Sequence, residues 1–141
     1  MLRAAMPRRR RHELALPPRT RITPARRAVM DAVGAADGAF TVLDVFDRAR
    51  NDHAALGLAT TYRTIDLLQR AGSVHPLPGA GRAAYIRCRP GHHHHLVCVE
   101  CGAVEETDLC AAPADADILE QHGFEPQTHE LDIYGVCKSC R

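Results

Sequence analysis

No tryptophan occurs in this chain, and phenylalanine and tyrosine appear only three times each in 141 residues. A small core with so few large aromatic side chains draws stability from a metal or a partner subunit. No apolar run approaches the roughly 20 residues that cross a bilayer, and no apolar segment follows the basic N-terminus as a secretory signal requires. These absences point to a cytoplasmic protein with no membrane partner. Catalytic zinc signatures are missing too: there is no His-Glu-x-x-His, and no His-x-Glu followed by Pro-Cys-x-x-Cys. A hydrolase needs a general base beside an open coordination position, and none can be named. Neither an enzyme nor a small-molecule substrate is expected.

Cysteine, by contrast, is plentiful: Cys88, Cys98, Cys101, Cys110, Cys137 and Cys140. In a reducing compartment thiols at such spacings read as metal ligands, whereas disulfides would need an exported chain. The net charge of +1 hides an asymmetry. Through His75 there are thirteen Lys/Arg against seven Asp/Glu; from Pro76 onward there are five against ten. A basic half suits a polyanion such as DNA, and an acidic half rich in His and Cys suits cations.

Along the chain, residues 1–18 read as a mobile basic arm, with Arg8 to Arg11 followed by Pro17 and Pro18. Thr23 is placed to cap a helix begun by Pro24, with Ala25, Ala28, Val29, Ala32 and Val33 at helical spacing. A second helix starts at Thr41, capped with Asp44, and buries Val42, Val45, Phe46 and Ala49. A third, "TTYRTIDLLQRAG", runs from Thr60 to Gly72 with Ile65 and Leu68 inward and Tyr62, Arg63, Thr64 and Arg70 outward. A Pro/Gly-turned hairpin follows, with strands near Val74 and over residues 83–88. Three helices and a small hairpin make a winged helix, whose last helix enters the DNA major groove. Past Pro90 the pattern becomes a small α/β unit: strands at 92–100 and 103–108, a helix at 113–122, and a strand at 129–134 with His129, Leu131 and Ile133 inward. The fold class is therefore α+β, with a winged-helix domain at 19–88 and a second domain at 89–141.

The strongest chemical signal is Cys98-x-x-Cys101 paired with Cys137-x-x-Cys140. Two intervening residues let both sulfurs of a pair reach one ion, and four thiolates close a tetrahedral zinc site with no open position. Such a site is structural and contributes directly to folding. The run His92 to His95 lies on a strand, so His92 and His94 point one way and His93 and His95 the other. One segment can then serve two sites.

Taken together, "TTYRTIDLLQRAG", the hairpin, "HHHHLVCVECG", "HGF" and "THELDIYGVCKSC" resemble the ferric uptake regulator family over residues 19–141, most of all its zinc uptake regulator branch. The resemblance implies a dimeric, metal-sensing repressor that binds double-stranded operator DNA through the winged helix and dimerises through the second domain. It places structural zinc on Cys98, Cys101, Cys137 and Cys140, and regulatory zinc on His75, Cys88, His93 and His95. Three imidazoles and a thiolate suit tetrahedral zinc, and the thiolate disfavours iron(II) and manganese(II). A third family site would use His92, His94 and His129 with a glutamate. That position falls near Pro113, where no glutamate stands, leaving Asp115 or Asp108 as substitutes. Cys110 matches no family role and reads as a small apolar filler. On the DNA side, Tyr62 matches the family's recognition-helix tyrosine, with Thr61 and Arg63 beside it. Arg19, Arg21 and Arg26 stand where relatives touch the backbone or minor groove. Sensing of iron, nickel or peroxide within the same family, and a thiol-redox or metal-storage protein outside it, remain the competing readings.

Overall fold

The computed structural model of the protein describes residues 13–79, 83–110, 116–125, 127 and 129–141, so the Arg8 to Arg11 run and Asp115 lie outside the described residues. The chain divides into two compact units, with the division after Pro90.

The first unit is built from α1 (Pro24–Gly34), α2 (Val42–Asp52), α3 (Leu58–Arg70) and a hairpin of β1 (Val74–Leu77) and β2 (Ala84–Arg87). Thr23 caps α1, its hydroxyl oxygen accepting the Arg26 N–H at 3.2 Å. Thr41 caps α2 reciprocally: it accepts the Asp44 N–H at 3.2 Å, and the Asp44 carboxylate accepts the Thr41 N–H at 2.8 Å. Thr41→Ala is expected to cost the first unit about 1 kcal/mol, read from urea unfolding of the full chain. An unchanged midpoint would show that the cap contributes nothing.

The core gathers Val29, Val33, Val45, Ala49, Ile65, Leu68 and Val74. Phe46, expected inside, is only partly buried, and the Arg50 guanidinium lies 5.5 Å from its ring centre. Helix α3 opens at Leu58, earlier than the expected Thr60, because the Thr60 and Thr61 N–H groups already bond to the Gly57 carbonyl at 3.0 and 3.3 Å. Gly72, at φ 71°, turns the chain into the hairpin. Phe40 adds a short bridge to β2, exchanging backbone hydrogen bonds with Tyr85.

Part of the segment expected to be a mobile arm is docked instead. Leu14 and Leu16 pack on the core, and between them Ala15 exchanges two hydrogen bonds with the Ser73 hydroxyl, at 2.8 and 2.9 Å. Two leucines flanking a free backbone edge were enough to hold it, despite the arginines upstream.

In the second unit, β3 (His94–Cys98) lies between β4 (Val104–Thr107), antiparallel, and β5 (Asp132–Gly135), parallel; α4 (Ala116–Gln121) stands between β4 and β5 in sequence. The strands are shorter than the sequence pattern suggested, and residues 113–115 of the expected helix lie outside the described residues. The phase of β5 also differs. Asp132 and Tyr134 are half-buried and Ile133 is 42% exposed, beside Leu96 at 37% on the paired strand. The apolar alternation was real, but it marks a sheet face that the described residues of this unit leave partly exposed. Among the described residues of this unit, the buried hydrophobic side chains are only Val97, Cys98 and Val104.

Candidate metal centres and nucleic-acid interface

Strand β3 ends in a tight turn that presents two thiols. The Cys98 N–H bonds to the Ala103 carbonyl at 2.8 Å, the Gly102 N–H bonds to the Cys98 carbonyl at 3.0 Å, and Gly102 sits at φ 70°. Parallel pairing sets Cys98 opposite Gly135, which brings the next turn alongside, where the Cys140 N–H bonds to the Cys137 carbonyl at 3.0 Å. All six cysteines are free thiols. The sulfurs of Cys98, Cys101, Cys137 and Cys140 lie within 4.8 Å of one another, with Cys101 and Cys137 at 3.8 Å. Zinc–sulfur bonds of about 2.3 Å at tetrahedral angles require an edge of about 3.8 Å.

Their ionisation fits the same ion. The Cys137 N–H, 3.3 Å from the Cys98 sulfur, leads the backbone donors that hold Cys98 down at about 6. The thiols of Cys137 and then Cys101 push Cys140 up to about 12. Thiols packed this closely resist joint ionisation, because each added thiolate repels the others.

The four histidines sort by parity. His93 and His95 have ring centres 5.0 Å apart. His93 Nδ1–H donates to the Gly91 carbonyl at 2.8 Å, and His95 Nδ1–H donates to the Asp132 carboxylate at 3.0 Å. Each ring is thereby fixed with its lone pair on Nε2. The Nε2 of His93 is buried without a hydrogen-bond partner. A carboxylate behind a histidine is the usual support of a metal ligand, and sequence reasoning missed Asp132 in that role. Its only signal was an acid between Leu131 and Ile133 in an otherwise apolar strand.

In the first unit, the hairpin register pairs His75 with Ile86, and the Cys88 N–H extends the ladder to the Ser73 carbonyl at 3.0 Å. His75 and Cys88 therefore share one face of the hairpin as diagonal neighbours, about 7 to 8 Å apart in such ladders.

On the other face of β3, His92, His94 and His129 form a second group, with ring centres 4.6 to 5.2 Å apart. Their companion is Cys110, whose sulfur lies 3.2 Å from His129 Nε2. Cys110 is exposed, so it is not the apolar filler expected from the sequence. Asp108 is not among the residues gathered with these histidines.

On α3, Tyr62 is 47% exposed and Arg63 is exposed, its guanidinium donating to the Thr60 hydroxyl at 3.4 Å. Thr61, expected beside the DNA, and Thr64, expected outward, are both fully buried. They complete an inward stripe with Ile65 and Leu68, and their hydroxyls donate to the Gly57 and Thr60 carbonyls at 3.4 and 2.7 Å. A threonine can face a core when its hydroxyl is satisfied one turn back, so the side chain of Thr61 cannot be a DNA contact. Arg19 and Arg21 are exposed, Arg19 at φ 65°, and Arg26 is half-buried with its guanidinium donating to the Arg21 carbonyl.

A sequence model of the ferric uptake regulator family matches residues 18–134. A zinc uptake regulation protein of Mycobacterium tuberculosis is 33% identical over 123 residues, covering 86% of this chain and 95% of that protein. A ferric uptake regulation protein of Legionella pneumophila is 34% identical over 117 residues, covering 71% and 85%. Among solved structures, a zinc uptake regulator complexed with zinc and DNA is 27% identical with a TM-score of 0.63, covering 85% of this chain and 83% of that one.

Proposed function

Because the chain belongs to the ferric uptake regulator family, we propose that it is a zinc-responsive repressor that binds operator DNA as a dimer when its regulatory site is filled. It is a regulator rather than an enzyme, and it acts in the cytoplasm on genes of zinc uptake. No described helix is long and apolar enough to cross a membrane.

The observation that carries the reading is the pair His93 and His95 on one face of β3, with ring centres 5.0 Å apart and each Nδ1 held by an oxygen, as ligating imidazoles usually are. Adding His75 and Cys88 from the wing hairpin gives three imidazoles and a thiolate, a donor set for tetrahedral zinc and a poor one for iron(II) or manganese(II). The four-cysteine cluster is assigned to structural zinc, since it leaves no position open for a ligand that comes and goes.

The chain's own part in switching is simple. Ligands on both sides of Pro90 are drawn into one cluster, which restricts the conformers available to the winged helix. In a dimer this selects a separation of the two α3 helices that suits operator half-sites. Tyr62 and Arg63 then meet base edges while Arg19, Arg21 and Arg26 engage phosphates. The exposed Leu96 and Ile133 supply an apolar sheet face for the second copy.

The test is operator binding by the full chain across buffered free zinc, with iron(II), nickel(II) and manganese(II) series alongside and metal content measured on the same samples. Zinc is expected to raise affinity at the lowest free concentration. Equal or better stimulation by iron(II) would reassign the sensed metal, and no zinc-dependent shift at all would sink the regulator reading.

A further inference from the structure

Resting on that reading, we propose that Cys110 is the fourth ligand of a third zinc site, held with His92, His94 and His129 entirely within the second unit. The ligand atoms of these four residues lie within 4.8 Å of one another. His92 Nε2 and His94 Nε2 are 3.0 Å apart, and the Cys110 sulfur is 3.2 Å from His129 Nε2. A tetrahedral zinc ion with ordinary bond lengths asks for edges of about 3.3 Å between two imidazole nitrogens and about 3.6 Å between nitrogen and sulfur. Those two edges meet that requirement by opening a few tenths of an ångström.

The chain delivers Cys110 by a local device. The β3–β4 register pairs His94 with Thr107, so the end of β4 lies beside the histidines. There the Thr107 hydroxyl oxygen accepts the Leu109 N–H at 3.1 Å, turning the backbone so that the next residue, Cys110, returns over them. His94 is 1% exposed, and its Nδ1 has no hydrogen-bond partner. Among the described residues its polar attachment is through Nε2, into this cluster.

The identity of the fourth donor decides which ion the site accepts. A carboxylate would have made a harder site open to iron(II) or manganese(II). A thiolate with three imidazoles favours zinc, or cobalt(II) as its spectroscopic stand-in, over manganese(II). The two cation sites on β3 then select the same metal from opposite faces of one strand.

The experiment uses the full chain, zinc-replete and partially stripped, with two readouts: zinc per protomer, and alkylation of Cys110 by iodoacetamide followed by peptide mapping. Wild type is expected to hold about three zinc ions per protomer, and Cys110→Ala and Cys110→Ser about two at the free zinc that just saturates wild type. Zinc should slow Cys110 alkylation about tenfold or more, as expected of a ligated thiolate, and His129→Ala should abolish that protection. Zinc content in both Cys110 variants equal to that of wild type, or alkylation indifferent to zinc, would overturn the assignment. Cys110 is exposed, so neither variant threatens the fold. Failure of the regulator reading would appear elsewhere, as operator binding indifferent to zinc while the metal count still falls with Cys110.

Discussion

Cys98→Ser in the full chain is expected to lose the most tightly held zinc and to unfold residues 91–141, at a cost above about 4 kcal/mol. The size of the effect follows from how little else holds the second unit. Among its described residues only Val97, Cys98 and Val104 are buried hydrophobics, and that area supplies only a few kcal/mol before chain entropy is counted. A large share of the rest comes from the sulfurs that tie the turn after β3 to the turn after β5. Amide hydrogen exchange would read it: the amides of residues 94–98 should lose protection while those of α1 and α3, which have their own core, keep theirs. Retained protection along β3 would mean that the sheet stands without its clamp.

Cys88→Ala should do the opposite, leaving the fold and the four-cysteine zinc intact while removing zinc control of DNA binding. Moving a two-state equilibrium from mostly unable to mostly able to bind takes about 5.5 kcal/mol, roughly 10⁴-fold in preferential affinity. Deleting one of four donors, and the only sulfur, should reduce zinc stimulation of operator binding by about a hundredfold or more. Fluorescence anisotropy with labelled operator across buffered zinc measures this directly, with His75→Ala as a companion. Stimulation of wild-type size in Cys88→Ala would remove the hairpin from the sensor.

The features legible in the sequence were those set by short-range chemistry. The caps at Thr23 and Thr41, the inward Ile65 and Leu68, the paired Cys-x-x-Cys turns and the parity of the histidine run each depend on spacing over a few residues. What stayed hidden depended on tertiary neighbours. Thr61 was read as a DNA contact and Thr64 as outward, because satisfaction by a carbonyl one turn earlier leaves no mark in composition. Asp132 gained its meaning only when parallel pairing set it opposite His95. Cys110 had no partner at a telling interval, since a hydroxyl-capped turn at the end of β4 steers it to the histidines. Ile133 was read as facing inward, but it is exposed beside Leu96 on the paired strand.

The parallel pairing of β3 with β5 joins residues far apart along the chain, with His95 and Asp132 separated by 37 positions. If the thiol clamp opens, β5 can peel away and bare the flank of β3, including Leu96 and Val97, with its amide and carbonyl groups unsatisfied. Such a flank invites proteases and self-association. Loss of the ion that holds the clamp would then shorten the life of the molecule.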